Sequence, residues 1–256
     1  IYSTEAFRKM MQILEAFQPD VVHLNNINFQ LTPSIIFAVK KYRKASKRKV
    51  KIVATAHDYQ WVCPNHMLMI PANKQLCFAC EGGKYGNCTK NNCIHNSKVK
   101  SLLGTIEAKF YQWNGIYKAI DTVICPSDFL NQKLSTNDAF KNRTVTMHNF
   151  LVSEDLKEEH SLKLPEKYVV YFGRYAEEKG IAELLKICKR LPHIQFVFAG
   201  NGPLENEVNK AGNVINLGFQ TGSALKELIT KAQFFVFPSG WYENCPFAVM
   251  ESQLYG

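Results

Sequence analysis

The chain has 256 residues, 46% of them apolar and 21% charged, with eight cysteines and a formal net charge of +9. That is ample apolar content for two ordinary cores, and it excludes a disordered or low-complexity chain. No apolar run reaches the roughly 20 residues of a membrane-crossing helix, and no nucleic-acid recognition motif accompanies the basic charge, so neither a spanning segment nor a nucleic-acid partner is expected.

The charge is unevenly divided. Residues 1–150 hold 20 Lys+Arg against 9 Asp+Glu, whereas residues 151–256 hold 11 against 13. A basic first half beside a near-neutral second half points to an acidic partner for the first, and an anionic membrane surface or a lipid phosphate fits. An ordinary solvated basic face accounts for the same charges.

In chain order, helix-period apolar residues run from Ala6 to Phe17, before a buried strand at Val21–Leu24. A second helix at 33–44 ends in a basic run, and Val50–Thr55 reads as the next strand. Residues 57–97 form an irregular stretch rich in Cys, Asn and Gly, followed by an amphipathic helix at Leu102–Ile120 carrying Phe110, Tyr111, Trp113 and Tyr117. Its neighbours Lys98, Lys100, Lys109 and Lys118 fit a membrane-surface role, with core packing as the simpler reading of the aromatics. Strands are expected at Thr122–Cys125 and Val145–His148, and residues 151–167 read as a linker. The second half alternates strands at 168–172, 194–199, 214–217 and 234–237 with helices at 180–190, 203–210 and 222–231.

Strand-helix alternation of this kind builds parallel sheets. The expected fold is α/β: two Rossmann-like domains facing each other across a cleft, residues 1–150 and 168–256. In such sheets ligands bind where strands end and turn into helices. Gly173-Arg174, Gly200-Asn201-Gly202 and the segment around Glu243 all fall at such ends. Arg174 and Lys179 can neutralise a diphosphate, one as a planar fork and the other as a point charge. Glu243 and Glu251, eight residues apart, flank a predicted helix start at Pro246, where free N–H groups of Phe247 and Ala248 attract an anion or sugar oxygen. Two carboxylates beside a positive helix end suit a phosphorylated, hydroxyl-rich ligand.

The Glu243–Glu251 segment resembles the Glu-x7-Glu signature of retaining glycosyltransferases of the GT-B fold, family 4, also called glycosyl transferases group 1. Tyr171-Phe-Gly-Arg-Tyr-Ala-Glu-Glu-Lys-Gly180 and Phe198-Ala-Gly-Asn-Gly-Pro203 are similar to the family's donor-domain elements. Pro19-Asp-Val-Val-His-Leu24, His57-Asp-Tyr59 and Pro126-Ser-Asp-Phe129 resemble its acceptor-domain runs. The resemblance implies GT-B architecture and a chain cut at both ends, lacking a first strand and the closing elements. It implies Arg174 and Lys179 on the donor phosphates and Glu251 on the ribose. Glu243 would lie near the transferred sugar, with Asn244 and Phe247 lining that pocket and Phe219 near the base. His57 would stand close to the donor sugar, and Asp58 and Tyr59 would orient the acceptor hydroxyl. The residue after Phe247 is Ala248, where many members have glycine; this bears on the substrate more than on the chemistry.

The activity so implied is transfer of a sugar with retention, from a nucleotide-diphosphate sugar to a glycan or lipid-linked acceptor in bacterial surface polysaccharide assembly. It would take place in the cytoplasm, at the inner face of the plasma membrane. A sugar-nucleotide epimerase of the same shape and a non-catalytic carbohydrate- or nucleotide-binding subunit are the alternatives. No cofactor is expected for catalysis, since Asp-x-Asp, the usual motif for a metal-bound diphosphate, is absent. The spacing of Cys77, Cys80, Cys88 and Cys93 suggests a structural zinc, against free thiols as the alternative.

Overall fold

Apolar strands followed by amphipathic helices bury both faces of a sheet only when each helix crosses back over it, so the strands run parallel. The computed structural model describes residues 2–27, 30–152 and 162–255. The chain divides into two units, residues 1–148 and 149–256. Of the expected 151–167 linker, residues 153–161 lie outside the described residues.

The first unit runs α1 (Thr4–Phe17), β1 (Val21–Asn25), α2 (Ser34–Ser46), β2 (Lys51–Thr55), the short strands β3 (Met69–Ile70) and β4 (Gln75–Leu76), α3 (Gly86–Lys90), α4 (Lys98–Asn114), β5 (Thr122–Cys125), α5 (Asp128–Ser135) and β6 (Thr144–Thr146). Its sheet has the order β1-β2-β5-β6, parallel throughout, and β3 and β4 pair as an antiparallel hairpin. Ser3, Ser97 and Ser127 cap α1, α4 and α5 by accepting backbone N–H groups.

Two expectations for this unit change. The aromatic helix starts at Lys98, earlier than expected, because Ser97 supplies the cap. It stops at Asn114, because Gly115 turns left-handed at φ 64°, and Ile116–Ala119 continue as a 3-10 turn. The irregular 57–97 stretch contains the hairpin, a 3-10 turn at Glu81–Gly83 and α3.

The second unit runs β7 (Val169–Phe172), α6 (Ile181–Arg190), β8 (Phe196–Ala199), α7 (Glu205–Asn209), β9 (Val214–Asn216), α8 (Gly222–Thr230), β10 (Phe234–Phe235) and α9 (Phe247–Tyr255). The sheet order β10-β7-β8-β9 is parallel, with every residue of the central β8 buried. One core joins Tyr171 and Phe198 to Ile181, Leu184 and Cys188 of α6; the other joins Val170 and Val197 to Leu228 and Ile229 of α8, with Ala248 and Tyr255 of α9 at its margin. Residues one apart along a strand thus feed opposite cores, as a doubly covered sheet requires.

Candidate functional site

The loops leaving β7, β8 and β9 are laced together at the carboxyl edge of the second sheet. Gly173 N–H donates to the Ala199 carbonyl at 3.0 Å, Tyr175 N–H to Asn201 at 2.8 Å, and Gly200 N–H to Gly218 at 2.8 Å. A side chain at Gly200 would overlap the Gly173 carbonyl, and one at Gly180, where φ is 75°, would overlap that of Pro238. The room left by these glycines is filled by protein, so they serve to bring the loops together.

Glu243 is the hub of this edge. Its Oε1 accepts from Lys179 Nζ at 2.6 Å, Ser239 Oγ at 2.7 Å and Trp241 Nε1 at 2.8 Å, and its side chain is only 14% exposed. The Lys179 ammonium also lies 5.6 Å from the centre of the Trp241 ring, where a cation is attracted to the π-face. Charge-assisted bonds of this kind are shorter and stronger than neutral ones. Gly240 N–H donates to the Glu178 carbonyl at 3.2 Å, which ties the Glu243 loop to the Lys179 loop.

Ser239 and Trp241 are functional candidates that motif reading missed. The signal was available: a Trp near a buried acid needs an acceptor for its N–H.

Arg174 is different in kind. Its guanidinium is 64% exposed and its nearest acid, Glu178, is 3.9 Å away, while Tyr171 Oη fixes its backbone by donating to the Arg174 carbonyl at 2.9 Å. Phe219 and Phe247 are exposed, and Asn201, Gly202 and Asn244 lie on the same loops.

Cys245, just before Pro246 at the start of α9, takes a left-handed φ of 53°, uncommon for a residue with a side chain. Asn149 Nδ2–H donates to the Cys245 carbonyl at 2.9 Å and fixes this turn. The first N–H groups of α9, from Phe247 onward, have no acceptor within the helix.

Glu251, in the second turn of α9, is half-buried, and burial raises its carboxyl above the usual range. A carboxyl raised in the folded state carries no penalty at pH values below its unfolded value. The penalty appears as pH rises through the folded value and persists above it. Glu251→Gln is therefore expected to raise the melting temperature at pH 7 and leave it unchanged near pH 4; equal shifts at both would remove the charge from the explanation.

In the first unit, the exposed His57 follows β2, and its Nε2–H donates to Asn25 Oδ1, the last residue of β1, at 2.8 Å. In the neutral ring that contact makes Nδ1 the acceptor nitrogen. Asn25 was missed, although it ends the strand next to β2.

The two acceptor-side expectations are corrected. Asp58 is occupied within the fold, accepting from Gln60 N–H at 2.8 Å and meeting His66 Nδ1 at 3.0 Å. Tyr59 is 1% exposed and packs edge-on against Phe129, so its ring belongs to the core.

The zinc expectation changes too. Cys80, Cys88 and Cys93 share a buried cluster with Tyr85, while Cys77 is partly exposed. Among the described residues, no three His, Cys, Asp or Glu side chains are grouped so as to hold a metal ion. Burial pushes the Cys80 thiol up to about 12 and the Cys63 thiol up to about 11, whereas a hydrogen bond from Cys88 lowers that of Cys93.

Residues 152–256, nearly all of the second unit, match the family model described as Glycosyl transferases group 1. The chain is 30% identical over 168 residues to TuaC of Bacillus subtilis (strain 168), a glycosyltransferase assigned to teichuronic acid biosynthesis, covering 62% of this chain and 43% of TuaC. Among solved structures, Anabaena HepE in complex with UDP superposes with a TM-score of 0.56 at 14% identity, over 97% of this chain and 60% of HepE. TarM of S. aureus, crystallised with UDP, α-GlcNAc-glycerol and fondaparinux, gives 0.56 at 14% identity over 97% of this chain and 43% of TarM. The chain thus spans about half the length of the proteins it resembles. The second unit matches the glycosyl transferases group 1 model along nearly its whole length, and the chain shares its α/β fold with these GT-B glycosyltransferases.

Proposed function

We propose that the protein transfers a sugar, with retention of anomeric configuration, from a nucleotide-diphosphate sugar held by the second unit to an acceptor held by the first. The Lys179–Glu243 pair at the carboxyl edge of the second sheet carries this reading. Lys179 has three N–H donors and spends one on Glu243, which leaves two for a diphosphate. Arg174, exposed and almost unpaired, adds a planar fork, and the start of α9 adds backbone donors.

These groups stabilise the negative charge that builds on the leaving diphosphate as the bond to the anomeric carbon breaks. The acceptor hydroxyl attacks from the face the diphosphate leaves, and its proton passes to the departing phosphate oxygen. Glu243, with Oε1 held by three donors, acts as a fixed anion orienting Lys179; a covalent role is the weaker reading. His57, with Nδ1 available, assists at the acceptor side. Phe219 and Glu251 bind the nucleoside, and Asn244 and Phe247 the transferred sugar.

The structures of HepE and TarM contain UDP, so UDP is the first nucleotide to test. Calorimetry on the full-length protein with UDP, GDP and ADP, a chelator present, is expected to show one diphosphate binding saturably and Glu251→Ala weakening it at least tenfold. A folded protein that binds none of them would sink the donor-site reading.

The resemblance to TuaC supports an acceptor in bacterial surface polysaccharide assembly, and α4 supports a membrane-surface location at the cytoplasmic face. Val99, Leu102, Leu103, Ile106, Phe110 and Trp113 form an exposed apolar stripe at helical spacing, flanked by Lys98, Lys100 and Lys109. Among the described residues no helix is long and apolar enough to cross a membrane. An apolar stripe with basic flanks suits binding in the interfacial plane. The protein is expected to sediment with vesicles containing anionic lipid and to stay in solution after Leu103→Glu with Trp113→Glu. Undiminished sedimentation of that variant would rule out α4 as the contact.

A further inference from the structure

The inner face of α4 borders a half-open, mostly apolar cavity of about 520 Å³, walled by Trp61, Tyr85, Ile94, Ala108, Tyr111 and Tyr117. Protein interiors are close-packed, with few voids larger than a water molecule, so a space of this size is a feature to be explained. It falls within the 300–1,000 Å³ range of small-molecule sites, and its apolar walls with a few polar atoms match their composition.

Three polar atoms on its lining residues lack partners. Gln60 Oε1, Trp61 Nε1 and Tyr111 Oη are all buried without a hydrogen bond among the described residues, and Tyr111 as a whole is only 2% exposed. Buried polar groups in native proteins are nearly always paired, so an acceptor and a hydroxyl left together imply a partner that the protein does not supply. A hydroxyl group complements two of them, donating to Gln60 Oε1 and accepting from Tyr111 Oη.

The cavity also adjoins the cleft beside His57. Trp61 lines it on one side and, on the other, a small cleft formed with His57 and Asp58. His66, held by Asp58 at 3.0 Å, lines the cavity as well. α4 itself is apolar on two faces, one turned to the cavity and the other to solvent.

We propose that this cavity receives the apolar end of an amphiphilic acceptor, an alkyl or isoprenoid chain whose hydroxyl-bearing headgroup meets Gln60 and Tyr111. The inference rests on the proposed acceptor role of the first unit and adds the chemical class of the acceptor: a glycolipid or lipid-linked sugar rather than a free glycan.

The test is a direct binding measurement on the full-length protein, separate from transfer. Titration with n-octyl β-glucoside below its micelle-forming concentration is expected to give saturable one-to-one binding, with the negative heat-capacity change that marks apolar burial. Glucose alone should bind at least tenfold more weakly. Ala108→Phe, which places a ring in the cavity, should weaken binding at least tenfold, and Tyr111→Phe, which removes only the hydroxyl, several-fold. Ile13→Ser, at an exposed position of α1 away from the cavity, should leave the affinity unchanged.

Absent saturable binding, glucose binding as tightly as the glucoside, or full affinity in both Tyr111→Phe and a folded Ala108→Phe would each overturn the proposal. Nucleotide binding in the same sample separates the two readings. A nucleotide bound without the glucoside defeats the cavity alone, whereas the glucoside bound without any nucleotide defeats the donor site alone.

Discussion

Lys179→Ala is expected to lower the rate of sugar transfer by about 10²- to 10³-fold, the usual cost of removing one preorganised donor from a site where charge develops. The argument begins in the ground state. Lys179 Nζ lies 2.6 Å from Glu243 Oε1, and both side chains are largely shielded, at 27% and 14% exposed. The carboxylate fixes the ammonium, so the cation needs no reorganisation when the diphosphate begins to leave. In the alanine variant Glu243 keeps Ser239 and Trp241 as donors, so the loop is expected to stay folded. Glu243→Gln preserves the shape and the acceptor oxygen but removes the charge that positions Lys179, and a loss of about tenfold is expected for a displaced but present cation. Because the two residues act as a pair, the double variant should be little worse than Lys179→Ala. Initial rates with the full-length protein check this through the split between kcat and KM. A fall in kcat marks stabilisation of the leaving group; a rise in KM alone, or a Lys179→Ala rate within threefold of the parent, would remove Lys179 from the chemistry.

Much of the frame behind that site was legible in the sequence. The four strands of the second sheet stand out as apolar segments spaced by helical stretches, and their observed starts at Val169, Phe196, Val214 and Phe234 fall within two residues of the expected ones. Local pattern suffices best for the central β7 and β8, since strands buried on both faces must be apolar nearly throughout. α5 was missed because Pro126, Ser127 and Asp128 were read as a family motif, although a serine cap followed by an acid also marks a helix start. The burial of Tyr59 and the engagement of Asp58 by His66 could not be read from the chain, since the first depends on where α5 places Phe129 and the second on the turn that brings His66 back to Asp58. The same holds for the cysteines: their spacing resembles a ligand set, but only packing decides whether the sulfurs converge. Within the donor edge, Glu243 and Lys179 were each visible as motif residues; their direct contact was not, because 64 residues separate them.

The glycines of that edge carry the largest stability effect. Gly180→Ala is expected to destabilise the second unit by roughly 3–5 kcal/mol, the upper range for a single change. One part is the left-handed backbone at φ 75°, which costs a residue with a side chain about 1–2 kcal/mol. The rest comes from overlap with the Pro238 carbonyl, a backbone group that cannot rotate away as a side-chain end can. Gly200→Ala should cost a comparable amount for the second reason alone, since its obstacle is the Gly173 carbonyl. Gly212→Ala is the internal control: nothing lies within 4 Å of the added carbon and its φ is not left-handed, so it should be neutral or stabilise by about 0.5 kcal/mol. Denaturant unfolding of the three variants decides the matter, and a Gly180→Ala protein as stable as Gly212→Ala would mean that the Pro238 carbonyl does not pack against Gly180. The consequence reaches the chemistry. Pro238 leads directly into Ser239, Trp241 and Glu243, and Gly240 is tied back to Glu178 beside Lys179. A methyl group that pushes Pro238 outward therefore pulls Glu243 from Lys179. The Gly180→Ala enzyme should lose transfer activity even at temperatures where it remains folded, a loss that Gly212→Ala does not share.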